Sequence, residues 1–241
     1  MKLSLKKSER LDDLQFEGLK LVQDKDLYAF TSDSVVLANF LKIKRGETAV
    51  EIGVGSGVIS ILATKKTNAK SIVGFEIQKP LFMLAQKNLQ INNISNVSFI
   101  NDDVKNFNKY LAKESVDVVF SNPPYKNSTF FNENESKAIA RHEKFLPLHD
   151  LCSVTSQMLK FGGRAYFVYD ANRCAEMIFE LKKAKLEPKR MFFTENGRKK
   201  VILFVVEAVK GGKPGVKVYP NLTTNDKTGE YLEEVKNFSL N

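Results

Sequence analysis

Hydrophobic residues along this chain follow two rhythms: short β-branched and aromatic runs between polar or glycine-rich turns, and longer stretches with apolar positions at helical spacing. Leu19-Lys20-Leu21-Val22 and Leu27-Tyr28-Ala29-Phe30, on either side of the polar Gln23-Asp24-Lys25-Asp26, predict a β-hairpin. Thr31-Ser32-Asp33 then reads as a helix N-cap ahead of the apolar helix Ser34-Val35-Val36-Leu37-Ala38-Asn39-Phe40-Leu41. From Thr48 the rhythms alternate. Strands are predicted at 49–52, 71–75, 97–100 and 116–120. A helix follows the first at 58–64, and another follows the second through Pro80, Leu81, Leu84, Ala85 and Leu89, proline being tolerated in a first turn. This alternation predicts an α/β fold with a mostly parallel sheet covered by helices on both faces. Further on, 147–159 is amphipathic, 164–168 is a strand after Gly162-Gly163, and 201–206 is a late strand. Ala171, Cys174, Ala175, Ile178 and Leu181 form one helical stripe. Residues 126–144 lack apolar periodicity and predict a long loop, of a kind more often functional than idle. Gly211-Gly212-Lys213-Pro214-Gly215 marks a turn into a tail. The expected organisation is a hairpin and short helix at 1–45, a core at 46–210, and a tail at 211–241 packed on or near the core.

Composition changes this picture in few places. With 241 residues, 43% of them hydrophobic, the chain can bury a full core. No apolar run is long enough to span a bilayer, and the N-terminal decapeptide lacks the apolar centre of a signal peptide, so a cytoplasmic protein with no membrane contact is expected. Cys152 and Cys174 lie far apart without CxxC or Cys/His spacing, and His142 and His149 are the only histidines, so no metal site is expected. The balance of 37 basic against 28 acidic side chains gives +9 and a pI near 9.3, which points toward a polyanionic partner.

Two turns carry candidate chemistry. Gly53, Gly55 and Gly57 fall between a predicted strand end and a helix N-terminus, where a backbone without side chains can approach a ligand closely. Val58 stands where a dinucleotide fingerprint needs its third glycine, so that reading fails. Glu76 ends the next strand, about 20 residues on, where an acid can accept hydrogen bonds from both ribose hydroxyls. Asp102-Asp103 follow the third strand, where a carboxylate can meet an adenine amino group. Each has a plainer account: Glu51 satisfying backbone donors, Glu76 a solvated strand end, Asp102 and Asp103 capping the next helix. Their position at successive strand ends of one sheet favours a site.

The second turn is Ser121-Asn122-Pro123-Pro124-Tyr125, directly after the strand at 116–120. Two prolines remove two backbone donors, fix φ twice and hold Asn122 extended. A stiff turn of this kind presents an amide, free carbonyls and an aromatic face. Those groups suit a planar substrate bearing an NH2 group: the Asn122 oxygen and the Pro123 carbonyl accept its hydrogens, and Tyr125 stacks on the ring.

Glu51-x-Gly53-x-Gly55-x-Gly57 resembles the cofactor loop of Rossmann-like S-adenosylmethionine methyltransferases. With Glu76 and Asn122-Pro123-Pro124-Tyr125 added, the chain looks like the amino-methyltransferases, which methylate exocyclic or amide nitrogens. Four further segments are similar to bacterial tRNA(Val) adenine-N6 methyltransferases: Thr31-Ser32-Asp33-Ser34-Val35-Val36-Leu37-Ala38, Ala140-Arg141-His142-Glu143, Leu186-Glu187-Pro188-Lys189-Arg190 and Gly229-Glu230-Tyr231-Leu232-Glu233-Glu234-Val235. That family modifies the adenine just 3′ of the anticodon. The resemblance implies a class I methyltransferase fold, S-adenosylmethionine as cofactor and tRNA as partner. It implies that Asn122, Pro123, Pro124 and Tyr125 hold the target base. The cofactor would meet Thr31, Asp33, Glu51, Gly53, Gly55, Gly57, Glu76 and Asp102 or Asp103.

Three basic groups are candidates for guiding RNA: Lys2, Lys6, Lys7 and Arg10; the run Lys182, Lys183, Lys185, Lys189 and Arg190; and Arg198, Lys199 and Lys200. Lys182, Lys183 and Lys185 are the expected patch. Alternatives are a protein-glutamine N5 or rRNA guanine-N2 methyltransferase, and a non-catalytic RNA-binding protein on the same fold. The glutamine enzymes are expected to carry a larger helical module before the glycine loop than the 52 residues that precede Gly53 here.

Overall fold

Alternation along β3 (Thr48–Ile52) sends Ala49 and Glu51 to one face of a sheet and Val50 and Ile52 to the other, and all four are buried. A strand buried on both sides needs helices on both sides. In the computed structural model, which describes residues 4–27, 32–123, 146–228, 232 and 235, the chain supplies them in turn. The order is β1 (Glu9–Asp13), β2 (Lys20–Asp24), α1 (Ser32–Phe40), β3, α2 (Val58–Lys66), β4 (Ser71–Phe75), α3 (Lys79–Ile91), β5 (Val97–Ile100) and a 3-10 segment Val104–Lys109. There follow β6 (Val116–Ser121), α4 (Leu148–Met158), β7 (Leu159–Asp170), α5 (Cys174–Lys183), β8 (Leu186–Glu195), β9 (Val201–Lys210), β10 (Lys217–Val218) and β11 (Leu222–Thr223).

Nine strands form the main sheet in the order β10-β8-β9-β7-β6-β3-β4-β5, with β11 also on β8. Strands β5 through β7 are parallel, while β9 is antiparallel to both β7 and β8. One face carries α1, α2 and α3 over residues such as Val118, Tyr166 and Val205. The other carries the 3-10 segment, α4 and α5 over Val50, Val119 and Phe167. This is the Rossmann-like class I methyltransferase fold expected from the sequence. The chain leaves β3 outward to β4 and β5 and returns to β6 on β3's other side, so β3 and β6 enclose the topological switch point where ligands bind in such sheets.

Four local expectations are corrected. The strand paired with β2 is β1, upstream, with Leu11 opposite Val22; residues 28–31 lie outside the described residues. Glu9-Arg10-Leu11-Asp12-Asp13 is wet on most of its surface and so gave no apolar signal. Strand β7 begins before Gly162-Gly163, which form a bulge within it, Gly162 at φ 78°, instead of a turn ahead of it. Along α5 the buried residues are Met177 and Leu181, while Ala175 is exposed. Strand β8 was not foreseen as a strand, because Pro188 breaks its pattern; the register shift between Pro188 and Arg190 absorbs the missing donor. The loop at 126–144 lies outside the described residues.

Candidate active site

The turn after β3 is left-handed three times over: Gly53, Gly55 and Gly57 have φ of 75°, 57° and 85°. Gly53 and Val54 both donate to the Phe75 carbonyl, at 2.9 and 3.2 Å, which fastens the turn to the end of β4. A β-carbon on Gly53 or Gly55 would meet no atom within 4 Å, so open space lies over the turn. Gly57 differs: there a β-carbon would stand 3.2 Å from Phe99. Gly74 in β4, which sequence reasoning missed, is tighter still. A β-carbon on it would lie 2.3 Å from Val54 and 2.6 Å from Phe99, so glycine is what lets Val54 settle against the sheet.

Two carboxylates close on this turn from below. Glu76 is 5% exposed and accepts the Gly55 N–H at 2.8 Å and the Gln78 N–H at 2.9 Å, one on each oxygen. Burial pushes its carboxyl above the ordinary range, against the opposing effect of those two amides. Glu51 is fully buried. Its Oε2 accepts both the backbone and the hydroxyl of Ser60 on α2, while Oε1 has no partner. Loss of water, with Glu76 adding like charge, pushes Glu51 up to about 8.

Across the switch point, Ser121 closes β6 by donating its hydroxyl to the Ile52 carbonyl at 2.7 Å. Asn122 follows, with Nδ2 donating to Ser34 Oγ at 3.2 Å. Ser34 sits in the first turn of α1, next to Asp33, so this contact brings the start of α1 to the end of β6. Sequence reasoning gave Ser34 no role; the resembling segment that contains it was the available signal. Pro123 is described, whereas Thr31, Pro124 and Tyr125 lie outside the described residues.

At the end of β5 the two aspartates divide their work. Asp103 caps the 3-10 segment, accepting Lys105 N–H at 2.9 Å. Asp102 accepts Asn106 Nδ2 at 2.8 Å, the Tyr110 hydroxyl at 2.9 Å and the Asp103 N–H at 2.7 Å, and these donors bring it down to about 2. Ile77, directly after Glu76, is 46% exposed, an apolar surface at the strand ends that the sequence pattern did not single out. The hairpin reaches the same region from outside: Asn88 on α3 accepts Val22 N–H at 2.7 Å and donates to the Val22 and Ser56 carbonyls at 3.0 and 2.9 Å. Asn92, one turn on, repeats the exchange with Lys20, so two asparagines stand in for a strand partner along β2.

The basic groups sit at opposite ends. β8 runs parallel to β7, so the turn from β8 to β9, with exposed Arg198 and Lys200, shares the sheet edge that holds the glycine turn and Asn122. Lys182, Lys183 and Lys185 precede β8 and stand at the far edge. There Lys183 and Lys185 line a groove of about 700 Å³ between α4 and α5, together with Lys113, His149 and Lys210. Lys182 pairs with Glu187 and Lys183 with Glu180. Both cysteines are free, and burial pushes Cys152 up to about 12. Among the described residues no cluster of His, Cys, Asp or Glu could hold a metal, and no helix is long and apolar enough to cross a membrane.

Comparison with known proteins bears on the family and the fold. The model of the family described as "Methyltransferase domain" matches residues 43–199. The chain is 24% identical over 233 residues to the tRNA1(Val) (adenine(37)-N6)-methyltransferase of Cytophaga hutchinsonii, covering 94% of this chain and 97% of that protein. It is 38% identical over 112 residues to a putative protein N5-glutamine methyltransferase of Methanocaldococcus jannaschii, covering 46% of this chain and 54%, about half, of that relative's length. Among solved structures, M. jannaschii TYW2 in complex with AdoMet matches with a TM-score of 0.58 at 16% identity, over 86% of this chain and 87% of that one, a likeness of fold.

Proposed function

The chain belongs to the methyltransferase-domain family, and from that premise we propose that it moves a methyl group from S-adenosylmethionine to the N6 amino group of an adenine in tRNA. The expected base is the adenine just 3′ of the anticodon in tRNA(Val). The observation that carries the reading is Asn122 at the switch point: its Nδ2 is taken by Ser34, which leaves the amide oxygen to receive an amine beside the glycine turn. The names of relatives such as the Cytophaga protein support the choice of acceptor.

The residues present fit the cofactor. The open space over Gly53 and Gly55 admits a ligand against the backbone, and Glu51 Oε1 is a buried polar atom without a partner. Gly53, Gly55, Gly57, Glu51 and Glu76 would hold it, with Thr31, Asp33 and Asp102 or Asp103 as further contacts. S-adenosylmethionine supplies a methyl group already activated on a sulfonium, which needs no acid catalyst. The protein's task is alignment. An aromatic amine is a poor nucleophile because its lone pair is delocalised into the ring. Acceptors at Asn122 Oδ1 and the Pro123 carbonyl draw its two hydrogens, localise the lone pair and aim it. Pro124 stiffens the turn, and Tyr125 is the ring proposed to replace the stacking that the adenine gives up, worth roughly 1–3 kcal/mol.

tRNA is the proposed macromolecular partner, and with it a cytoplasmic location. Its phosphates would be met by basic side chains, the candidates being the Lys182, Lys183 and Lys185 group and the Arg198 and Lys200 turn. Transfer to a protein glutamine is the second reading, favoured by the 38% identity to the archaeal relative; an amide nitrogen makes the same demand on Asn122 and Pro123. The test is transfer of labelled methyl to unmodified tRNA, followed by nucleoside analysis. N6-methyladenosine is the expected product. Methyl on guanine N2, or on a release-factor glutamine with tRNA left unlabelled, would move the chain to a sister activity.

A further inference from the structure

Asn122 has a fixed backbone and a soft side chain. Its Cα is held because Ser121 pairs with Ile52 and Phe167 in the sheet and donates to the Ile52 carbonyl. The last torsion of an asparagine is broad and nearly two-fold, so an unsupported amide turns its oxygen or its NH2 outward with similar ease. Only one of these works. An NH2 facing an incoming amine sets donor against donor.

We propose that Ser34 is the positioning residue that decides this orientation, by accepting Asn122 Nδ2 and so turning Oδ1 toward the methyl acceptor. The proposal rests on the role of Asn122 given above. Ser34 is 5% exposed, so water does not compete for its hydroxyl. It is 88 residues from Asn122 in sequence, which makes the bond a tertiary contact and not local turn chemistry. Its own place is fixed by α1, whose Val36, Leu37 and Phe40 are at most 1% exposed. The Phe40 ring, at the end of the helix, stands edge-on to Tyr166 and Phe192, at 5.7 and 5.2 Å. A hydroxyl on a helix locked into the core is a rigid reference against which a soft amide can be set.

The experiment makes Ser34→Ala and Ser34→Thr in the full chain, each alone and with Asn122→Ala. Single-turnover methyl transfer to tRNA is expected to fall about tenfold in Ser34→Ala, the effect of one neutral hydrogen bond, while cofactor Kd stays unchanged and Tm falls by no more than a few degrees. Ser34→Thr, which keeps the hydroxyl, restores the rate to within about threefold, and the double variant Ser34→Ala/Asn122→Ala is no slower than Asn122→Ala. A parallel readout needs no acceptor: the Asn122 side-chain amide resonances, assigned by their loss in Asn122→Ala, should move in Ser34→Ala and return in Ser34→Thr. If wild-type protein transfers no methyl to adenine, the substrate reading fails and these resonances alone decide the Ser34 proposal. Full activity in Ser34→Ala, a further tenfold loss in the double variant, or unmoved resonances overturns it.

Discussion

Glu51 illustrates how much one residue's environment decides. A glutamate with no water and a single hydrogen-bonded oxygen keeps its proton, so its carboxyl is pushed from 4.5 to about 8. Between those values the folded protein holds a proton that the unfolded chain has released. Stability therefore falls as pH rises from 4.5 toward 8, with a slope approaching about 1.4 kcal/mol per pH unit, and flattens above. Glu51→Gln, shaped like the neutral acid, should remove Glu51's share of that slope and leave only the part that the raised Glu76 adds; urea denaturation of both proteins across this range checks it. A bound ammonium would favour the charged form, so cofactor binding at pH 7 should release close to one proton, measurable by calorimetry in buffers of different ionisation heat. Asn122 makes a complementary case. Asn122→Ala should lower single-turnover methyl transfer by roughly 10² with cofactor Kd nearly unchanged, because the bond proposed for it is one made in the transition state. If Asn122 only caps a turn, stability would drop by about 1 kcal/mol and the rate would hold.

Among elements, the turn from β3 to α2 and the middle of β4 need glycine for opposite reasons, and a pair of substitutions separates them. Gly55 has φ of 57° and empty space around it, so Gly55→Asn, which tolerates that backbone, should keep Tm within a few degrees yet abolish cofactor binding in calorimetry. Gly74→Ala places a methyl 2.3 Å from Val54, so overpacking should lower stability by about 1–3 kcal/mol, read by denaturation, before any ligand is added. The same scale shows where pattern reading worked. Strands β3, β4 and β6 are largely buried on both faces, β5 alternates buried and wetter positions, and their β-branched and aromatic runs announced them within a residue or so. Strands β1 and β8 did not announce themselves: one is mostly wet, and the other contains Pro188 and charged Lys189 and Arg190. What holds β2 in place was equally silent, because Asn88 and Asn92 read as ordinary polar positions of α3 until β2 lies beside them.

For the whole molecule, a charge of +9 makes salt-dependent binding of a polyanion the natural expectation, but the sum says nothing of place. Sheet direction separates the candidates. Neutralising Arg198 and Lys200 changes the edge that holds Asn122; neutralising Lys182, Lys183 and Lys185 changes the far edge, where two of the three already have acid partners. Filter-binding titrations of tRNA between low and moderate salt should show a weaker affinity and a flatter salt slope for the first pair. A larger effect from the three lysines would mean that the tRNA reaches around the α4–α5 face.

The sequence by itself determined the parallel core, the glycine turn with its acids at successive strand ends, and the proline turn that begins at Asn122. These are local in origin: hydrophobic period, the φ that glycine allows and proline fixes, and spacing from one strand end to the next all act within a few residues. Tertiary structure decided which groups face one another. Only the folded sheet sets Ser34 against Asn122 across 88 residues, leaves Glu51 Oε1 without a partner, engages Asp103 as a cap and Asp102 with Asn106 and Tyr110, and sends two basic runs to opposite edges. Burial, pairing and direction are properties of neighbours brought together from distant parts of the chain, and no window along the sequence contains both partners.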